Sequence, residues 1–255
     1  MKISNNTILI TGGTSGIGRG IAEALHKRGN KVIIAGRRKN LLDEITSKNP
    51  GMEGIEIDVS DQKQIEKFAT SVKQKYPDLN VLINNAGITT LEDWNNNNVD
   101  VSAIHNLIAT NISAVIGLTA ALLPQLKKNK NAAVITTTSG LAFIPLAIAP
   151  TYSATKAFLH SWLQSLRYQL RDSGVEVLEL APPYVATEFG GEKQANDPRA
   201  MPLNDYVSEV MQILESGDMP DGEILVERVK DFRIAERNGS YSNFFENLNK
   251  MFSEH

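Results

Sequence analysis

A short β-branched run, Thr7–Thr11 (TILIT), breaks into a glycine-rich stretch, TGGTSGIGRG, and then into a pattern with Ile17, Ile21 and Leu25 on one face. Strand, glycine turn and helix in that order set the plan for the rest of the chain. Further short apolar runs follow at Lys31–Gly36, Gly54–Val59, Asn80–Gly87, Ala132–Ser139, Gly174–Pro182 and Glu223–Val229. Runs this short, bounded by Gly, Pro or Asn, read as buried strands. Between them lie helical patterns. Ile65, Phe68, Ala69 and Val72 mark one face, and the stretches Val99–Leu126 and Ala154–Leu170 are apolar enough to be largely buried.

Strand–helix alternation on this scale predicts a parallel sheet covered on both faces. The expected class is α/β, a Rossmann-like doubly wound parallel sheet of about seven strands. No linker divides the 255 residues, so residues 1–255 are read as a single domain.

The glycine stretch has the context of a dinucleotide-binding turn, since it follows a strand and opens a helix. Read from Thr11 it is T-G-x-x-x-G-x-G, with Gly12, Gly16 and Gly18 as its fixed points and Thr14, Ser15 and Ile17 between them. Glycines let the backbone approach a pyrophosphate, and the helix N-terminus attracts its charge. A plain glycine turn is the alternative. An NAD site usually places Asp or Glu at the end of the second strand to grip the ribose 2′-hydroxyl. Here that strand ends IIAGRR, with Gly36 where the acid would stand and Arg37 and Arg38 after it. Guanidinium groups suit a 2′-phosphate, so the expectation is NADP(H) over NAD(H), with Arg37 as the nearer contact. The competing reading is that both arginines only solvate a loop.

Composition removes several function classes. Net charge is −3 and there is no long basic block, which argues against nucleic acid as a partner. There is no cysteine, hence no disulfide, thiolate metal site or thiol nucleophile. The four histidines, His26, His105, His160 and His255, are scattered and form no metal-binding pair, so no metal is expected. The N-terminal apolar run is too short for a signal peptide and no run is expected to span a bilayer, which makes the cytoplasm the expected location. The WNNNNVD segment, Trp94 to Asp100, reads as a polar loop.

With the glycine loop, NNAG (Asn84–Gly87), Asn111, Ser139, Tyr152 and Lys156 in order, the sequence resembles the short-chain dehydrogenase/reductase family over about its first 190 residues. The length and glycine spacing match the single-domain branch. The resemblance implies that Asn84, Asn85, Ala86 and Gly87 support the sheet and line the adenosine side of a cleft. It implies that Asp58 and Val59, ending the third strand, meet adenine. Asn111 would sit in the long fourth helix and hold a water linked to Lys156. Ser139, Tyr152 and Lys156 match catalytic positions. Pro182, Val185 and Thr187, in PPYVAT, match a segment bordering the nicotinamide. Pro183 replaces the family's usual glycine, and proline fixes φ and removes a donor. The late region from residue 223 to 255 lacks the common Asp-Gly-Gly ending. It resembles the tail of bacterial reductases associated with lipoteichoic acid D-alanylation.

The chemistry has its own logic. Tyr152 and Lys156 are four apart, so on a helix they share a face. A tyrosine with a free pKa near 10 is a slow proton donor at neutral pH, and an adjacent ammonium would lower it. Carbonyl reduction then needs a hydride from the cofactor, a hydroxyl such as Ser139 at the developing alkoxide, and a proton from Tyr152. Singly, each residue has a structural alternative: Ser139 a cap, Asn111 a backbone clamp, Tyr152 a half-buried aromatic. A sensor that binds NADP(H) without turnover is the competing function.

Glu188 to Asn204, rich in Gly, Pro and polar residues, reads as a lid over the cleft or a long surface loop. The expected substrate pocket is apolar: Ser139, Leu141, Phe143, Ile144, Tyr184, Phe189 and Met201. A small, fairly apolar ketone, aldehyde or alcohol fits such a pocket, and no arginine cluster marks an anionic substrate. Phe158, Leu159, Trp162, Leu163 and Leu166 form an apolar stripe that is mostly core and partly interface, so a homodimer is expected, with a tetramer the less supported assembly.

Overall fold

The computed structural model describes residues 2–96 and 98–253. Asn97 of the asparagine-rich loop and His255 of the histidine set lie outside them. The strands are β1 (Thr7–Thr11), β2 (Lys31–Gly36), β3 (Glu53–Glu56), β4 (Leu79–Asn84), β5 (Ala132–Thr137), β6 (Val175–Leu180) and β7 (Glu223–Ile224). All pair in parallel in the order β3-β2-β1-β4-β5-β6-β7, giving one seven-stranded sheet among the described residues. The order reverses between β1 and β4. In open sheets of this kind ligands bind at that reversal, beyond the carboxyl ends of the strands.

Alternation along each strand feeds two cores. Ile8, Ile10, Val32 and Ile34 point to one face, where α1 (Gly16–His26), α2 (Lys39–Lys48) and α8 (Leu203–Ser216) pack through Leu25, Ile45 and Val210. Leu9, Ile33 and Ala35 point to the other, against α3 (Gln62–Lys75) and α5 (Ala114–Leu126) through Phe68, Val72, Leu118 and Leu122. α6 (Pro150–Leu170) covers β6 through Leu163 and Leu170 on Val177.

Several boundaries differ from the sequence expectations. β1 and β2 have the expected limits, but β3 stops at Glu56, so Asp58 and Val59 lie in the loop beyond it. The run Glu223–Val229 is strand only at Glu223–Ile224, because its partner β6 offers pairing to those two residues alone. The chain then enters α9 (Glu227–Ile234), which buries Val229. The stretch Val99–Leu126 becomes α4 (Val101–Ile108), a π-helical turn at Ala109–Ser113, and α5. Together they run 26 residues and are long and apolar enough to cross a bilayer, contrary to the expectation that no such run exists. Here Leu107, Ala114, Leu118, Leu122 and Leu126 are buried in the protein. On α6, Leu159 and Leu163 are core, whereas Phe158 is 44% exposed.

Candidate active site

The glycine loop leaves β1 at its carboxyl end and is bound tightly to the segment after β4. Gly12 adopts φ +68°, and a Cβ there would stand 2.8 Å from Ala86 Cα. A Cβ on Gly18 would meet the Gly12 carbonyl oxygen at 2.3 Å, so both positions require glycine for packing. Asn85 carries the joint. Its Nδ2 donates to the Thr11 and Gly12 carbonyls at 3.2 and 3.3 Å, and its Oδ1 accepts from Thr137 Oγ1 at 3.2 Å. Thr11 Oγ1 accepts from the Asn85 and Ala86 amides, both at 3.1 Å.

From this joint a cleft of about 1650 Å³ opens over the ends of the strands. Its lining includes every expected loop residue: Gly12, Thr14, Ser15, Gly16, Ile17, Gly18, Arg37, Arg38, Asp58, Val59, Asn85, Ala86 and Gly87. Ser139, Leu141, Tyr152, Lys156, Pro182, Tyr184, Val185, Thr187 and Phe189 line it too. Asn84 does not. It is buried behind the sheet, where its Nδ2 donates to Thr119 Oγ1 at 3.0 Å.

The glycine-loop end fits a dinucleotide on its own features. Ser15, at the start of α1, makes no side-chain cap, and the first turn holds no acid, so the amides there face the cleft without a carboxylate partner. Arg38 folds onto the loop, with Nη2 donating to Thr14 Oγ1 at 2.9 Å and to Ser15 Oγ at 2.7 Å. Arg37 is exposed, and its side chain makes no hydrogen bond or ion pair among the described residues. The carboxylate of Asp58 is engaged by Ser60, whose amide and hydroxyl donate at 3.0 and 2.8 Å.

At the other end three side chains converge. Ser139 follows β5, and its Oγ accepts from the Leu141 amide at 3.1 Å and faces the Tyr152 phenol. Tyr152 and Lys156 occupy successive turns at the start of α6. Lys156 Nζ donates to the Thr137 carbonyl at 3.0 Å and lies 5.6 Å from the Tyr152 ring centre. The helix that presents them has no cap of its own, since its N-cap residue is Ala149. Glu92 supplies one from a distant loop: Oε1 accepts from the Thr151 amide at 3.0 Å and Oε2 from Thr151 Oγ1 at 2.9 Å.

The ionisation of the pair departs from the expectation that Lys156 lowers the tyrosine pKa. Burial pushes the Tyr152 phenol well above its ordinary value, and the Ser139 hydrogen bond only partly opposes it. Burial also brings the Lys156 ammonium down to about 8, against an opposing pull from Glu179. Both charged forms lose water in the same place, and desolvation sets the direction of both shifts.

Asn111 lies in the π turn rather than in a regular helix, is 1% exposed and sits behind the cleft lining. Its Oδ1 accepts from the Ile88 amide at 2.9 Å, and its Nδ2 donates to the Ile88 carbonyl at 3.0 Å and to Thr155 Oγ1 at 3.2 Å. It therefore ties the segment after β4 to α6. Phe143 was expected in the pocket, but the 3₁₀ turn Gly140–Ala142 carries it past the cleft. It packs edge-on against His160 at 5.1 Å. Ile144 and Met201 are likewise buried away from the lining.

The substrate side has a wall that the sequence expectations omitted. α10 (Tyr241–Ser253) crosses the mouth and contributes Leu248, Met251 and Phe252. Asn249 accepts from the Ala147 amide and donates to the Pro145 carbonyl at 3.2 Å, and Tyr184 meets Phe252 edge-on at 5.2 Å. Phe244, Phe245, Leu248 and Phe252 recur at helical spacing, which was the available signal. Residues 188–204 form a 3₁₀ turn and the short α7 (Glu192–Ala195), pinned by the Val185–Met201 bridge. Lys193, Arg199 and Arg228 also line the cleft, although the sequence showed no arginine cluster that would mark an anionic substrate. Arg199 is held by Asp197, with Nη2 at 2.7 Å from its carboxylate.

An α/β fold with a cleft at its strand reversal and a Ser–Tyr–Lys group beside a glycine loop defines a dinucleotide-fold oxidoreductase class. The family model for short chain dehydrogenases matches residues 6–198, and the chain belongs to that family. It is 41% identical over 252 residues to the uncharacterized oxidoreductase DltE of Bacillus subtilis strain 168, covering 98% of each chain. It is 33% identical over 208 residues to a serine 3-dehydrogenase of Agrobacterium fabrum, covering 76% of this chain and 79% of that one. The crystal structure of a short chain dehydrogenase from Burkholderia cenocepacia J2315 in complex with NADP superposes with a TM-score of 0.82 at 25% identity. That match covers 97% of this chain and 99% of the other.

Proposed function

We propose that this chain is an NADP(H)-dependent oxidoreductase interconverting a small, fairly apolar alcohol and its ketone or aldehyde, with Tyr152 as general acid and base. The observation that carries this reading is the meeting of Ser139, Tyr152 and Lys156 in a cleft that also holds the glycine loop and Arg37. The NADP complex of the Burkholderia relative supports the cofactor class.

The nicotinamide dinucleotide, when bound, supplies or takes up the hydride. Gly12 and Gly18 let the loop pack on the Asn85 joint, so that the α1 N-terminus would meet its pyrophosphate, and the unpaired Arg37 would be the group available for a 2′-phosphate. The Ser139 hydroxyl, beside Tyr152, polarises the carbonyl oxygen and stabilises the developing alkoxide. Tyr152 passes its proton to that oxygen in reduction and removes it in oxidation. In the free protein its phenol is held protonated, which suits the reduction direction. Lys156 supplies positive charge under the tyrosine, and Asn111 fixes the turn behind both for proton resupply from solvent. Leu91, Leu146, Ile148, Phe189, Leu248 and Phe252 enclose the reacting carbon in an apolar wall.

Titration with NADPH and with NADH, followed by nicotinamide fluorescence, checks the cofactor assignment. NADPH is expected to bind at least about tenfold more tightly, as a lost charge-assisted contact costs roughly 1.5–3 kcal/mol. Tighter NADH binding overturns the Arg37 assignment. A carbonyl and alcohol panel with NADPH consumption as readout checks the reaction. No turnover across a broad panel, alongside tight NADPH binding, replaces the enzyme reading with that of a sensor.

A further inference from the structure

Behind the reacting groups lies a buried carboxylate that the mechanism above does not use. Glu179 is 0% exposed in β6, where it pairs in register with Thr136 of β5 and Glu223 of β7. Its Oε1 accepts from Thr138 Oγ1 at 2.7 Å and its Oε2 meets His160 Nδ1 at 2.7 Å. Thr138 immediately precedes Ser139, and His160 stands one helical turn beyond Lys156 on α6. One carboxylate therefore bridges the strand end that presents Ser139 to the helix that presents Tyr152 and Lys156.

The charges around it are distinctive. The Gln164 amide nitrogen lies 2.8 Å from His160 Nε2, on the far side of the ring from Glu179. Glu223 is taken by Arg233 of α9 through paired contacts of 2.7 and 2.9 Å. Donor atoms of His160, Glu179 and Glu223 lie within 4.8 Å of one another, but Thr138 and Arg233 already occupy the carboxylates, so the cluster is closed on itself. The cations whose electrostatics feel Glu179 are Lys156 and Arg167 from α6 and Arg233 from α9; Asp221 and Glu223 add negative charge from the β7 side. A carboxylate this deep is stable only when charge and hydrogen bonds compensate it.

We propose that Glu179 is a positioning residue for the proton-transfer group: it clamps Thr138 to His160, tying the strand end that bears Ser139 to the helix that bears Tyr152 and Lys156, and places one buried negative charge behind that pair. The inference rests on reading Tyr152 and Lys156 as the reacting pair.

The test reads Lys156 directly in the full free chain, so it stays informative whether or not turnover is ever found. Protein labelled with ¹³Cε-lysine is titrated by NMR, with the Lys156 resonance assigned by its loss in Lys156→Arg. Wild type is expected to show its inflection near 8. Glu179→Gln, which keeps the shape and a hydrogen bond but not the charge, is expected to lower that inflection by roughly one pH unit or more. Glu179→Asp is expected to keep more of it. Should Glu179→Gln not fold, Glu179→Asp carries the test: drawing the carboxylate back by one methylene is expected to move the Lys156 inflection in the same direction by less. Inflections unchanged in the variants that fold overturn the proposal.

Discussion

Lys156 is 4% exposed, with its ammonium against the Thr137 carbonyl and the Tyr152 ring alongside. Its pKa of about 8 has a consequence for stability whose sign differs from that of a salt-bridged lysine. The unfolded chain keeps the lysine proton up to its ordinary pKa near 10.4, whereas the folded chain gives it up near 8. Between those values the unfolded state binds more protons, so this group makes folding more favourable as pH rises. Above pH 10 the raised Tyr152 pKa acts the other way, because the unfolded tyrosine ionises first. Between pH 8 and 9.5 the lysine contribution amounts to about 1.6 kcal/mol. Urea denaturation of wild type and Lys156→Met at both pH values measures it as a difference of differences. Equal pH responses in the two proteins contradict the burial account of Lys156. The sequence spacing disclosed that Tyr152 and Lys156 share a helix face, but it carried no information on desolvation. The direction of the tyrosine shift therefore needed the packed site.

At the scale of elements, the presentation of α6 depends on a contact no local pattern reveals. Pro150 and the lack of a side-chain cap at Ala149 describe a start with open amides, and Glu92 closes it from the segment after β4. Trp94 Nε1 holds the same carboxylate at 2.9 Å, and the Glu92 amide donates to the Ile148 carbonyl at 2.9 Å. Glu92→Ala is expected to cost about 1 kcal/mol of stability by urea denaturation, within the usual range for a lost N-cap. A change below about 0.3 kcal/mol contradicts a capping role. Local patterns served well where one residue run makes one element. β1 and β2 keep their limits because their β-branched residues follow asparagine and run into glycine, Gly12 after β1 and Gly36 closing β2. They failed where neighbours decide. Leu225 and Val226 continue an apolar run, yet the sheet edge gives β7 only Glu223 and Ile224. The π turn at Ala109–Ser113 has no distinct composition, and nothing in the local sequence marks the turn at Gly140–Ala142 that carries Phe143 past the cleft.

Over the whole molecule, the order of strands brings distant segments to one cleft. The glycine loop after β1, the Asn85 joint after β4, Ser139 after β5 and the Pro182–Thr187 segment after β6 all leave the sheet at the same edge. This convergence was legible because parallel strands put every carboxyl end on one side. The closing wall from α10 was not, since nothing in the local sequence says where a terminal helix docks. The central claim is that Tyr152 moves the proton while the rest of the cleft holds the cofactor. Tyr152→Phe removes one oxygen and leaves the ring packing against Phe189 at 5.8 Å available. The most direct measurement compares this variant with wild type for NADPH affinity and for NADPH-dependent turnover of the best panel substrate. The account predicts affinity within about threefold of wild type and turnover reduced by at least about a hundredfold. Turnover close to wild type would contradict it and assign the proton to another group.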